Sequence, residues 1–332
     1  MLAQVQKLDT PPVEYSALLP ILVMLGGAVL LMVIGALLPR RAKPWWHAAF
    51  TVVTALASAA AWWPLWFRAR DDGALRVVAD AFRVDGLTVF LGIVICAGVV
   101  LTALLANGYL RRERLEGPEP YVLLMLSAAG GQFMLGANDL LVLFIALEIL
   151  SIAVYVLAGI HVRRARSGEA AFKYLILGAL ASAVLLYGIA LVYGATGSPN
   201  PPAVQAFLGA TLLTHNPPLL AGMAMILAGL AFKVAAAPFH AWAPDVYEGS
   251  PSPIVAYMAS GVKTAGFAGL IRVFVFGFES YRVEWQPLID AMAVATLLVG
   301  AVVAVSQTNV KRMLAYSSIS HAGFILVGVQ AA

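Results

Sequence analysis

The stretch LAFKVAAAPFHAWAPDVYEGSPSP, Leu230 to Pro253, continues an apolar run that begins near Pro218, yet it contains Lys233 and, five residues later, Pro238. Proline lacks a backbone N–H and breaks or kinks a helix. A lysine and a helix break at the same depth of an apolar segment point to a discontinuous helix that carries charge. Irregular backbone at membrane depth is tolerated where it is buried in protein or lines a water-filled cavity, and transporters build ion sites on such breaks. Pro238 is expected to free the Val234 carbonyl, four residues earlier, beside Lys233.

The rest of the chain fits that solvent. Apolar residues make up 61% of the 332 and charged residues 11%, against ~25% charged in ordinary soluble domains. Mean hydropathy is +0.88. The apolar segments are long and do not alternate, which indicates helices rather than strands. The fold expected is an all-α polytopic membrane helix bundle. Ten candidate spans are read at 16–38, 46–67, 86–107, 120–137, 139–161, 170–194, 218–247, 252–277, 286–305 and 312–330. Residues 194–218 form a turn-rich connection whose middle suits a short amphipathic surface helix. The polar start, MLAQVQKLDTPPVEY, lacks the features of a cleavable signal.

Basic residues sort the connections. Arg40, Arg41 and Lys43, then Arg111, Arg112 and Arg114, Arg163, Arg164 and Arg166, and Lys311 and Arg312 fall on odd-numbered connections. The opposite side carries Arg68, Arg70, Arg76 and Arg83, diluted by Asp71, Asp72 and Asp80, plus Arg282, and the seventh connection has no Lys or Arg. The positive-inside rule then puts the odd connections in the cytoplasm and the N-terminus outside, in a bacterial plasma membrane. The single cysteine, Cys96, excludes a disulfide framework or a Cys-ligated cluster. No Walker loop, dinucleotide-binding glycine fingerprint, His pair with metal spacing or basic–aromatic nucleic-acid patch is present. No metal site, bound cofactor or nucleic-acid partner is expected, and the lipid bilayer is the surrounding partner.

Ionisable groups at bilayer depth cost ~2.5–3.5 kcal/mol on insertion scales and usually mark function. Glu148 is flanked by apolar sequence on both sides; the alternative is a structural carboxylate hydrogen-bonded to a neighbouring helix. Burial disfavours a charged lysine and a nearby carboxylate favours it. A buried Lys233–Glu pair therefore holds or releases a proton according to how close the partner stands; the alternative is a proline kink with the lysine reaching a lipid headgroup. Lys263 lies mid-span among Gly, Ser and Ala, which permit close helix packing. Lys173, near a helix end, suits either a proton relay or an interfacial anchor. His240, seven residues after Lys233, would share its face on an unbroken helix and suits proton shuttling, or is a structural histidine. His321 is a weaker candidate, because Ser317, Ser318 and Ser320 beside it also suit helix packing. Asp245 and Glu248 line an exit or cap a turn.

Three segments resemble the subunit N family of bacterial NADH–quinone oxidoreductase, respiratory complex I: FKVAAAPFHAWAPDVYEGSPSPIVAYMASGVKTAGF (232–267), AAFKYLILGALASAVLLYGIALVYGATGS (170–198) and NVKRMLAYSSISHAGFILVG (309–328). The resemblance runs from about the third span onward, and DVYEGSP is a fairly specific element of it. It implies an antiporter-like fold of two inverted five-helix repeats, each with a broken helix. Residues 1–119 would hold the first three spans, 120–277 the first repeat with its break at Pro238, and 286–332 the start of a second, incomplete repeat. The family's second broken helix and lysine are absent, as in a C-terminally truncated member. A faint internal echo, GANDLLVLF against QTNVKRMLA, joins the fifth and tenth spans. The resemblance implies proton-transfer roles for Glu148, Lys173, Lys233, His240 and Lys263, driven by quinone reduction elsewhere in the complex. NAD, FMN, iron–sulfur clusters and quinone would belong to partner subunits, alongside the other membrane-arm subunits. The competing readings are a subunit of a multi-subunit cation/proton antiporter and a helical scaffold with incidental buried charges.

Overall fold

The computed structural model describes residues 13–37, 45–210 and 216–332. Its helices are α1 (Tyr15–Leu37), α2 (Trp45–Asp71), α3 (Gly86–Glu113), α4 (Glu119–Gly136), α5 (Leu140–Ala158), α6 (Ala165–Thr196), α7 (Pro201–Ala210), α8 (Pro217–Val234), α9 (Trp242–Gly249), α10 (Ser252–Tyr257), α11 (Lys263–Leu270), α12 (Arg282–Val305) and α13 (Val310–Ala331). Among the described residues, nine helical segments are long and apolar enough to cross a membrane.

α4, one of the ten spans expected, is helical but does not reach that hydropathy. It needs no lipid-facing surface. Packed against α1, α3, α5 and α11, it buries Gly130, Gly131, Ser127 and Gln132 along with its apolar residues. Close approach explains the glycine: a Cβ at Gly130 would sit 2.5 Å from the Leu150 amide nitrogen of α5. The α6–α8 pair uses the same device, since a Cβ at Gly188 would fall 2.7 Å from the Gly222 carbonyl.

The eighth expected span is helical from Ser252 to Gly277, but two π-helical segments, Met258–Val262 and Ile271–Gly277, interrupt it on either side of α11. A hairpin that hydropathy did not announce, β1 (Leu75–Val77) and β2 (Phe82–Val84), fills the second connection. Its turn holds Val78, Ala79 and Asp80 at positive φ. Asn138, before α5, fastens the turn by donating from Nδ2 to the Asp80 carbonyl at 2.7 Å.

Beside the hairpin, Arg272 is 3% exposed and grips Asp85 through two parallel hydrogen bonds of 2.7 and 2.6 Å. It also donates to Thr88 Oγ1 and the Leu135 carbonyl. Burial would raise the Asp85 carboxyl, but the hydrogen bonds and charge of Arg272 outweigh it and hold the group below the usual carboxylate range. At the opposite end, Arg164 pairs with Glu113, and Arg312 with Asp245 and Glu248. The third, fifth and ninth connections are thus gathered near one end of the bundle. Arg40, Arg41 and Lys43 of the first connection lie outside the described residues. The surface helix expected in the sixth connection is α7.

Candidate functional site

α8 starts with Asn216 capping the Leu219 amide and Pro217 and Pro218 in the first turn, the position where a missing N–H costs nothing. It stops at Val234, because Ala235 adopts a left-handed conformation, φ 57°. The unwinding therefore begins three residues before Pro238, not at it, and the Ala237–Pro238 peptide is cis. The freed backbone groups find partners. The Ala235 amide returns to the Phe232 carbonyl and the Ala236 amide to that of Ala231. Trp242 Nε1 donates to the Phe232 carbonyl at 3.0 Å, and the Ala237 amide donates to Thr296 Oγ1 of α12 at 2.8 Å. The chain resumes as α9.

Lys233, in the last turn of α8, is 2% exposed. Its ammonium donates to Ser151 Oγ at 2.6 Å and to the Tyr155 hydroxyl at 3.1 Å, both on α5. It also stands over the rings of Tyr155, Tyr174 and Phe232 at 5.2, 5.9 and 5.8 Å, a favourable place for a desolvated cation. The side of α8 facing α11 is closed by Gly266, where a Cβ would lie 3.5 Å from Lys233 Cβ.

Glu148 lies on α5, one turn before Ser151. It is half-buried, on the same helix as the Ser151 and Tyr155 partners of Lys233, and is in no ion pair with Lys233. Its Oε1 is buried without a hydrogen-bond partner among the described residues. A hydrogen bond to a neighbouring helix is therefore not what holds that oxygen.

Lys263, 6% exposed, opens α11 just after the first π-helical segment. Its ammonium donates to the Ser318 carbonyl at 2.7 Å and to Ser318 Oγ at 2.8 Å, both on α13. A cavity of about 490 Å³, lined also by Ser260, Thr264, Ser317 and His321, lies beside it.

One expectation changes. His240 does not share a helical face with Lys233, because the helix between them is broken; it lies in the connecting turn, half-buried, with Nδ1 lacking a partner. Lys173 lines a polar crevice of about 220 Å³. There it pairs with Glu169 at 2.7 Å and Asp245 at 2.9 Å. Asp245 and Glu248 do not cap a turn alone: Arg312 bridges them, and Arg166 reaches Glu248. Ser151, Tyr155, Tyr174, Trp242, Thr296 and Arg272 were not singled out from the sequence. The first two were accessible to it, at three and seven residues after Glu148 on one helical face. Among the described residues, no group of three His, Cys, Asp or Glu side chains could hold a metal ion.

The site thus holds a hydrogen-bonded lysine at a helix break, a carboxylate one turn from its serine partner and a second buried lysine. Known proteins share the framework. A sequence model of the family described as NADH:quinone oxidoreductase/Mrp antiporter, TM, matches residues 137–332. NADH-quinone oxidoreductase subunit N 2 of Roseiflexus castenholzii is 41% identical over 336 residues, covering 99% of this chain and 65% of the relative. Subunit N of Salinispora arenicola is 41% identical over 355 residues, covering 98% and 68%. The chain spans between 52% and 68% of the length of the curated relatives it matches. In the respiratory complex I structure from Thermus thermophilus, one chain superposes with a TM-score of 0.77 at 34% identity, over 93% of this chain and 64% of that one. A chain of the Mrp complex from Dietzia superposes with a TM-score of 0.80 over 96% of this chain and 59% of that one, at 22% identity, a likeness of fold alone. The chain belongs to the NADH:quinone oxidoreductase/Mrp antiporter transmembrane family, and within it to the subunit N group of NADH-quinone oxidoreductases.

Proposed function

We propose that this chain is the proton-translocating, non-redox membrane subunit of an NADH:quinone oxidoreductase. The observation that carries the reading is Lys233: a buried ammonium at a helix break, held by two hydroxyls, with Glu148 one turn before its serine partner on α5 and its Oε1 without a hydrogen-bond partner among the described residues. Moving Glu148 toward or away from Lys233 changes the cost of keeping the ammonium charged. Lys263 is the next group to load or unload, and Lys173 the one at the polar crevice. His240 is kept as a shuttle from the break.

The redox centres, NAD, FMN, iron–sulfur clusters and quinone, are assigned to partner subunits, and the other membrane-arm subunits to its flanks. The gathering of odd connections near one end supports a cytoplasmic location for that end, with the N-terminus outside, in a bacterial inner membrane. Residues 120–277 are proposed as one five-helix repeat and 286–332 as the start of a second. The cap of α13 supports this, since Asn309 accepts from the Lys311 and Arg312 amides as Asp139 does from Leu141 and Val142 at the start of α5.

The test is the assembled complex carrying Lys233→Met. Lower proton pumping and coupled turnover, with assembly intact, is expected; wild-type pumping sinks the reading. Ion exchange across vesicles without flavin, iron or NADH-driven quinone reduction would transfer the chain to the cation/proton antiporters.

A further inference from the structure

The helix break has an outer side. A cavity of about 260 Å³, almost wholly apolar, opens there between α6, α8 and α9. Leu177, Leu180, Ala181 and Val184 form its α6 wall, at the three- and four-residue spacing of one helical face. Pro238, Phe239 and Trp242 face it from the break. The polar crevice uses the same two helices. Arg166, Glu169 and Lys173 extend the α6 face toward the start of that helix, and Asp245 and Glu248 follow Trp242 along α9 at intervals of three. Groove and crevice therefore lie end to end.

Their combined length matches one membrane leaflet. At ~1.5 Å per residue, Val184 lies about 16 Å along α6 from Lys173, close to half of the ~30 Å hydrocarbon core. The charged end also suits a head group. Arg166, Lys173 and Arg312 are balanced there by Glu169, Asp245 and Glu248. Asp245 is held between Lys173 and Arg312, and Glu248 pairs with Arg312. Two groups keep capacity for a ligand. The Arg166 side chain is 82% exposed and its ion pair with Glu248 is long, 3.6 Å; the Glu169 side chain is 61% exposed and pairs with Lys173 through one oxygen. A guanidinium matches a phosphate, and a carboxylate matches an ammonium that can donate hydrogen bonds. A head group that is only anionic would face Glu169 with like charge, and a quaternary ammonium has no N–H to donate.

We propose that groove and crevice together bind one phosphatidylethanolamine, with its phosphate at Arg166, its ammonium at Glu169 and one acyl chain laid against the break. A single layer of rings separates that chain from Lys233. Phe232 and Trp242 line the groove, and the Phe232 ring also stands 5.8 Å from the Lys233 ammonium. Trp242 stacks on Tyr174 at 4.5 Å and 9°, and Tyr174 covers the same ammonium. A bound acyl chain backs these rings and keeps water from reaching the lysine through the break. The site does not depend on which ion the chain moves.

The test uses the assembled complex in phosphatidylcholine vesicles with a trace of phosphatidylethanolamine that carries a photoactivatable group midway along one acyl chain. After illumination the labelled residues are mapped by peptide mass spectrometry. Label within residues 177–184 and 238–241 is expected. Unlabelled phosphatidylethanolamine should displace it at about a tenth of the concentration that phosphatidylglycerol needs, the difference made by one hydrogen bond to a charged group. Ala228 also lines the groove, so Ala228→Phe puts a ring into it and should abolish the label with assembly intact. Glu169→Gln should keep the label and lose the preference between the two lipids. Absence of label at these residues, equal displacement by both lipids in the unaltered complex, or undiminished label in Ala228→Phe overturns the site. A density map that shows a partner subunit's helix filling the groove overturns it as well.

Discussion

Gly178 and the Tyr155 hydroxyl share one space: a Cβ on Gly178 of α6 would collide with that oxygen. The phenol can reach Lys233 from α5 only because α6 carries no side chain there. Gly178→Ala is therefore expected to push Tyr155 off the lysine, destabilising the bundle by about 1–3 kcal/mol, as overpacking does, and lowering pumping. Adding Tyr155→Phe removes the nearest colliding atom but leaves a ring carbon 2.7 Å from the new Cβ, so the double variant should recover part of the thermal stability but not pumping. A double-mutant cycle on both readouts checks this. Additive stability effects would mean that the two residues do not meet.

The Arg272–Asp85 pair links the π-helical segment that follows α11 to the start of α3. Removing one partner of a buried pair leaves the other charge uncompensated, at about 3–5 kcal/mol; Asp85→Asn keeps the shape and should show most of that loss in thermal unfolding. The pH dependence follows from the depressed Asp85 carboxyl. Its stabilisation is complete above the unfolded value, ~3.9 for Asp, and is lost as pH falls through the lower folded value. Wild-type protein should lose stability on acidification below about pH 4, and the Asn variant should lose less over the same window.

What the sequence disclosed was what lipid makes expensive. Glu148, Lys233 and Lys263 are legible because an ionisable group in an apolar run has few bland explanations. The same test applied to Arg272 would have found the clamp, since it lies in LIRVFVF, Leu270–Phe276. Pro238 was legible as a break but not the place where unwinding begins. That is set by Ala235, an ordinary helix former, whose left-handed backbone is held by tertiary partners on α9 and α12. The His240 face failed for the same reason, as helical periodicity does not survive a break. Tyr174 and Trp242 looked like apolar filling, because their relation to Lys233 depends on which helices meet, which periodicity does not encode.

Lys173 separates relay from anchor by its response to salt. Its side chain and that of Asp245 are 42% and 37% exposed, so solvent screens the pair and it contributes little to stability. Lys173→Gln should leave the thermal midpoint nearly unchanged, and the small difference from wild type should shrink at high ionic strength. If coupled turnover falls while stability holds, Lys173 acts as a relay. Wild-type turnover in that variant assigns it to the ion network of Asp245, Glu248 and Arg312.

The break itself is held by two side chains, and each can be released alone. Trp242→Phe keeps a ring against Tyr174 but loses the donor to the Phe232 carbonyl, a hydrogen bond of about 0.5–1.5 kcal/mol net. Thr296→Val keeps the shape of α12 but leaves the buried Ala237 amide without its acceptor, at about 1–3 kcal/mol. Both variants should speed amide hydrogen exchange in residues 235–241, Thr296→Val more than Trp242→Phe, while α5 and α6 stay protected as in wild type. Because Lys233 precedes the break by two residues, the loosened backbone should also weaken its hold on Ser151 and Tyr155, so pumping should fall in the same order. Equal exchange in both variants and wild type would mean that the break is fixed by its own backbone turns, and that Trp242 and Thr296 only fill space around it.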